Sequence, residues 1–312
     1  MNNIRKAVTV LALFCGMAQQ SHAQFEPQFT QYMFNEMYIN PAYAGSRDQI
    51  SSTLVYRNQW VGLQGAPKTE TASIHGPLMN KTMGLGLTMT NETIGVTHQF
   101  SVYGNYAYRI PMGTKSALAM GIQGGIINHQ ENLEDVITNE ENDPEFLLNT
   151  PHVILPNAGF GLYFNTDRFY AGLSVPRMLE NKVAGDGTSN VTNHMSFENW
   201  HYYFASGYVF PVSDHVKLRP TVMVKAVSGA PIVGDFTLSA LMKEIFWLGF
   251  SYRTEDSFAG ILEFQITPQL RFGYSYDYTT TELNNYSNGT HEINIGYDFS
   301  FNKKKVITPR YF

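Results

Sequence analysis

Between residues 270 and 278 the side chains alternate strictly, with Leu270, Phe272, Tyr274, Tyr276 and Tyr278 on one face of an extended chain and Arg271, Gly273, Ser275 and Asp277 on the other. The same period recurs at 293–301, where Ile293, Ile295, Tyr297, Phe299 and Phe301 alternate with Asn294, Gly296, Asp298 and Ser300. Similar alternation runs through 83–89, 216–226, 248–252 and 258–266. A period of two is the mark of a strand with one apolar and one polar face. The pattern predicts about fourteen strands, near 49–60, 68–76, 83–91, 97–110, 115–129, 152–165, 168–176, 201–211, 216–227, 233–242, 245–253, 257–266, 270–278 and 291–301.

Nine or ten alternating residues, tilted, cross the hydrocarbon layer of an outer membrane, and Tyr and Phe near strand ends suit its interfaces. No apolar run beyond residue 23 approaches the ~18 residues of a spanning helix. The connections sort by length. Those at 76–81, 111–114, 166–167, 212–215, 243–244 and 267–269 are short, whereas most of the alternate ones are longer, including 130–151, 177–200 and 279–290. A barrel puts short turns on the periplasmic side and long loops outside; a soluble sandwich has no reason to sort them. The fold expected is therefore all-β, a transmembrane antiparallel β-barrel of about 14 strands with a plug-like N-terminal segment. The two chain ends are expected to be periplasmic. The inward set is polar and of mixed sign: Lys217, Arg219, Lys225, Arg253, Glu263, Gln265, Arg271, Asp277, Asn294 and Asp298. That suits a lumen filled by ion pairs, water or a plug better than a pore selective for one sign of ion.

Composition fits this reading. Charged residues make up 15% of the 312, well below the roughly 25% of soluble domains, while 21 Phe, 19 Tyr and 26 Gly favour strands and turns. Residues 1–23 carry a basic start at Arg5 and Lys6, an apolar run from 7 to 17, and the small-residue exit Ser21-His22-Ala23, the layout of a secretory signal peptide. The one cysteine, Cys15, lies within it, so no disulfide framework or thiolate chemistry is expected of the mature chain. Losing two positive charges with that peptide moves the formal net charge from −5 to −7. Glu131, Glu134, Asp135, Glu140, Glu141, Asp143 and Glu145, with no Lys or Arg among them, account for the excess. The basic run, Lys303 to Lys305 with Arg310, is too local for a nucleic-acid partner. The expected organisation is a signal peptide at 1–23, an N-terminal segment at 24–48, the barrel at 49–301 and a basic periplasmic tail at 302–312.

Catalytic patterns are sparse. Apart from His22, the histidines are scattered without the one-turn spacing of a helical zinc site, and no helix follows Gly84-Leu85-Gly86 or the glycines of 121–125 to hold a phosphate. Those glycines are read as strand residues permitting bends or close approach. No enzyme activity, metal or cofactor is expected.

The segment 24–46 reads QFEPQFTQYMFNEMYINPAYAGS. Phe29, Tyr32, Met33, Met37 and Tyr38 are spaced for one short helix before a proline-directed turn, with the whole packing on or inside the periplasmic mouth. This segment, with YRNQW at 56–60, GAPKT at 65–69 and TPRYF at 308–312, resembles the PorP/SprF family of Bacteroidota outer-membrane proteins. The resemblance implies a non-enzymatic barrel of type IX secretion and gliding motility. Such a barrel helps secrete or anchor a cognate surface protein, or links the outer membrane to periplasmic ring and lipoprotein components. Beyond these proteins, outer-membrane lipids are the expected surroundings. Phe29, Gln31, Tyr32, Asn35, Tyr38, Asn40 and Pro41, together with Arg57 and Trp60, are the partner-binding candidates. The chain departs from the family pattern at Glu36-Met37, a pair expected to tune partner choice. Two other classes stand beside this one: a passive channel or FadL-like transporter, recognisable by conductance or solute uptake, and a membrane hydrolase, recognisable by active-site labelling.

Overall fold

The computed structural model describes residues 26–47, 49–78, 81–136, 148–183 and 191–299. The signal-peptide and basic-tail readings lie outside these residues, as does the acidic stretch from 137 to 145. Seventeen strand segments follow one another: β1 Ile50–Asn58, β2 Lys68–Pro77, β3 Met83–Ile94, β4 Thr97–Pro111, β5 Ala117–Glu131, β6 Val153–Asn165, β7 Phe169–Val175, β8 Leu179–Val183, β9 Val191–Met195, β10 Tyr202–Tyr208, β11 Phe210–Ser213, β12 Val216–Ala226, β13 Val233–Met242, β14 Phe246–Arg253, β15 Ser257–Gln265, β16 Leu270–Thr279 and β17 Thr290–Phe299.

Each barrel strand pairs antiparallel with its neighbours, and β1 pairs with both β2 and β17, which closes the sheet. β10 and β11 are two halves of one strand along β12, so the closed barrel has fourteen strands, as the alternation predicted. Closure satisfies every strand's two flanks and removes the edges that hydrocarbon would not tolerate. β8 and β9 form a separate hairpin within the long connection from β7 to β10, an element that the loop reading of 177–200 missed.

The alternation sets the faces. In β15, Ser257, Ala259, Ile261 and Glu263 are buried toward the lumen, and Phe258, Leu262 and Phe264 are exposed on the outer wall. The same outward apolar face continues with Leu54, Ile74, Leu87, Phe100, Ile122, Leu173, Phe204 and Leu248, a belt around the barrel far too large to leave in water. Six tight connections, the start of β1 and the end of β17 gather at one end. The longer connections gather at the other.

Candidate functional site: a chain segment seated in the lumen

The segment 26–46 is almost wholly buried, and its partners are inward-facing residues on opposite sides of the barrel. It folds as three 3₁₀ turns, Tyr32–Phe34, Glu36–Tyr38 and Pro41–Tyr43, rather than the single short helix its spacing predicted. The breaks are at Asn35 (φ −137°) and Asn40 (φ −141°). Asn40 precedes proline, which pushes it toward extended geometry, and its side-chain oxygen accepts from Ala42 N (3.0 Å) to start the last turn.

The segment runs the length of the lumen. Near the long-loop end, the Glu26 carboxylate accepts from Tyr203 Oη (2.9 Å) and lies 3.8 Å from Arg177 Nε and 3.6 Å from His201 Nδ1. Burial works to raise the Glu26 pKa, but Arg177, His201 and Lys225 hold it below the ordinary carboxylate value. Further along, Tyr32 Oη donates to Thr221 Oγ1 (3.2 Å) and Ser73 Oγ donates to Asn35 Oδ1 (2.9 Å). Ser174 Oγ then donates to the Ile39 carbonyl (2.6 Å), and Asn40 Nδ2 to the Leu162 carbonyl (2.9 Å). At the short-turn end, Gly45 N donates to His75 Nδ1 (3.1 Å) and Arg47 pairs with Asp298 (3.2 Å) just before β1 begins. The segment thus packs inside the barrel, with contacts spread from the long-loop end to the short-turn end.

A three-residue ion cluster anchors the segment. Arg57 on β1 reaches Asp277 on β16 (2.8 Å) and Glu292 on β17 (2.9 Å), with exposures of 3, 2 and 0%. Two carboxylates face one guanidinium, and the segment supplies the remaining donors. Thr30 N and Gln31 N donate to the two oxygens of Glu292 (2.9 and 2.8 Å), and Thr30 Oγ1 donates to Asp277 (2.6 Å). Charge-assisted bonds of this kind are the strong ones, so the cluster holds residues 30 and 31 in place.

The wall is cut to fit. A Cβ at Gly84 would overlap the Ala44 carbonyl, one at Gly86 the Met37 sulfur, one at Gly121 the backbone of Pro41 and Ala42, and one at Gly161 the Asn40 side chain. Gly273 likewise faces the Gln31 side chain. These glycines on β3, β5, β6 and β16 permit close approach of the segment rather than bends in the strands. Ring contacts fill the rest. Phe29 meets Tyr38 edge-on (4.9 Å between centroids), Tyr43 meets Tyr163 (5.4 Å), and the Arg219 guanidinium lies between Phe34 (4.9 Å) and Trp247 (4.1 Å). A cavity of about 20 Å³ beside Glu26, Tyr38, Tyr103 and Arg177 has room for a single water.

The structure thus gathers most of the sequence-derived candidates, but in intramolecular contacts. Phe29, Gln31, Tyr32, Asn35, Asn40 and Arg57 are each at most 4% exposed, and Pro41 is buried. Tyr38 is nearly so, packed against Phe29. In the barrel itself these side chains are engaged with one another and with the lumen wall. The same holds for Glu36 and Met37, at 2 and 1% exposure. Trp60 lies apart, half-buried at the long-loop end, with its backbone N–H donating to Thr290 Oγ1 (3.1 Å). Of the inward set, Lys217 and Gln265 sit at the short-turn mouth, bonded to Glu244 and to the Thr267 carbonyl, and the other eight are buried in the lumen. Thr30 and Glu292 were missed. Glu292 stands on the polar face of β17 directly opposite Arg57, a signal visible only once the closing register is known.

The packing makes one consequence measurable. In the folded barrel, residues 26–46 are expected to resist added protease as long as the strands do; trimming them at the rate of a free tail would contradict this seat.

The barrel resembles solved outer-membrane structures. It aligns with the CymD monoaromatic hydrocarbon channel at a TM-score of 0.55 and 10% identity, covering 87% of this chain and 94% of that one. With the Ralstonia pickettii toluene transporter TbuX the TM-score is 0.50 at 9% identity, over 85 and 93% of the two chains. At such identities the likeness concerns the fold. No curated protein matches the chain. The family described as type IX secretion system membrane protein PorP/SprF matches residues 21–297, a stretch that takes in the lumen segment, the Arg57 cluster and nearly all of the wall described above. An outer-membrane barrel that carries this segment and matches over that span belongs to the PorP/SprF family of type IX secretion membrane proteins.

Proposed function

We propose that the protein is a non-conducting outer-membrane component of type IX secretion that helps export or anchor one cognate surface protein. The observation that carries this reading beyond family membership is the lumen, where residues 26–46 lie almost wholly buried against opposite walls and the cavity beside Glu26 holds no more than a water. A solute path needs a continuous opening, whereas a scaffold needs rigidity, and the seated segment supplies rigidity. In this reading the short-turn end is periplasmic, so β17 ends where ring or lipoprotein components are met. The long-loop end faces outward, where Leu63, Phe197, Ile232 and Tyr286 are exposed beyond the strands and form the surface for the secreted partner. Tyr32, Asn35, Asn40, Pro41 and Arg57 then act on partner binding as positioning residues, by holding the barrel and its loops in one shape. Trp60, on the outer loop after β1, is the one candidate placed to touch the partner itself.

Deleting the gene is expected to leave one exported protein trapped in the periplasm or shed from the surface, with outer-membrane permeability unchanged. Loss of uptake of a small solute, with every surface protein in place, would install the channel reading instead. The orientation is tested separately. Because the chain past residue 23 has no cysteine, single cysteines at Phe197 and Ile232 are expected to react with an impermeant maleimide on intact cells. Cysteines at Lys115 and Asp214 are expected to react only after permeabilisation; the reverse pattern overturns the orientation.

A further inference from the structure

The strand formed by β10 and β11 has a break with a definite chemical origin. Gly207 pairs with Thr221 on one side of it and Phe210 with Leu218 on the other, so the register is unbroken and Tyr208 stands opposite Pro220. Proline has no N–H to donate across the ladder. The next residue, Val209, turns its N–H to the opposite flank and donates to the Arg168 carbonyl (2.8 Å).

Over this break the outer wall holds a notch of about 420 Å³, within the roughly 300–1,000 Å³ range of small-molecule sites. Tyr208, Val222, Phe236, Leu238 and Phe250 line it, and none carries a charge. Among its hydroxyls, Ser206 Oγ is already used, donating to the Tyr170 carbonyl (2.9 Å), and Thr237 Oγ1 bonds Ser251 Oγ (2.7 Å). The floor is closed. A Cβ at Gly207 would meet the Tyr170 ring, and Tyr32 of the lumen segment bonds Thr221 from behind. The notch is therefore a dent in the lipid-facing wall and does not lead into the lumen.

We propose that this notch binds one acyl chain of an outer-membrane phospholipid as a fixed ligand. Its occupant must be uncharged and present in the hydrocarbon layer, because four of the lining residues are outward side chains of the lipid belt, 38 to 57% exposed. An acyl chain meets both conditions. The inference rests on the membrane location and is independent of the secretion role.

The test uses the full chain in liposomes that contain phosphatidylethanolamine with a diazirine midway along one acyl chain. After illumination, labelled peptides are mapped. Labelling at Tyr208, Val222 and Phe236 is expected to exceed that at the outward residues Phe264 and Phe272 several-fold. Val222→Trp, which fills the notch, and Pro220→Ala, which restores the missing donor opposite Tyr208, are each expected to bring it down to the level of those two positions. Heat-modifiable migration reports that each variant is still a folded barrel. Uniform labelling around the wall, or enrichment that persists in both folded variants, would mean an ordinary lipid shell and would overturn the proposal.

Discussion

Arg57→Met is expected to release the lumen segment and to abolish partner export. The guanidinium pairs with Asp277 and Glu292, both essentially unexposed, from a position between them. Removing it leaves two carboxylates facing each other in a low-dielectric interior, and breaking a buried pair in this way costs about 3 to 5 kcal/mol. The donors at Thr30 and Gln31 are already bonded to Glu292 in the wild type, so they bring nothing new to offset that loss. Arg57→Lys should fall between wild type and Arg57→Met: it keeps the charge but has no fork with which to reach two carboxylates. A triple variant, Arg57→Met with Asp277→Asn and Glu292→Gln, should recover stability, since the uncompensated charge is then gone. The readouts are the temperature of heat-modifiable migration in detergent and the protease resistance of residues 26–46. A variant Arg57→Met that keeps both would show that the cluster does not hold the segment.

Gly121→Val is expected to unseat the segment at its other anchorage. Its Cβ would enter the backbone of Pro41 and Ala42, and backbone has no rotamer through which to yield. Overpacking a filled interior costs about 1 to 3 kcal/mol when side chains can move, and the cost here should lie at or above the top of that range. Gly104→Val is the control. Gly104 faces outward, and its Cβ would meet no atom nearer than 3.9 Å. Valine is favoured over glycine in strands, so this second change should be neutral or stabilising. Opposite signs for the same substitution are the expected result, read as thermal shifts in detergent and as partner export in cells. Equal effects would mean that the glycines answer only to strand propensity.

Physical logic divides what could be read in the chain from what could not. The period of two assigned nearly every side chain to the lipid or lumen face, because in a strand the face depends only on whether a position is odd or even. Leu270 to Tyr278 and Ile293 to Phe299 were therefore legible one residue at a time, and fourteen strands followed from counting them. Loop lengths sorted the two ends for the same local reason. The lumen segment was visible as an aromatic element that needed burial, but its path was not. Its spacing matched a helix, yet Asn35 and Asn40 break it into 3₁₀ turns that follow the wall.

What lies across the lumen was decided by the closed barrel alone. Arg57 meets Asp277 from 220 positions away, and whether they meet depends on the register of every pairing between them and on closure of β1 against β17. A slip of one residue in β17 would turn Glu292 to the lipid. The glycines show the same limit. Alternation puts Gly121 on the lumen face and Gly104 on the lipid face, but that Gly121 meets the backbone of Pro41 and Ala42 is decided only in the closed barrel. Local alternation determines which way a residue points, whereas what it meets there is set by chain closure, a long-range constraint that no short window of sequence contains.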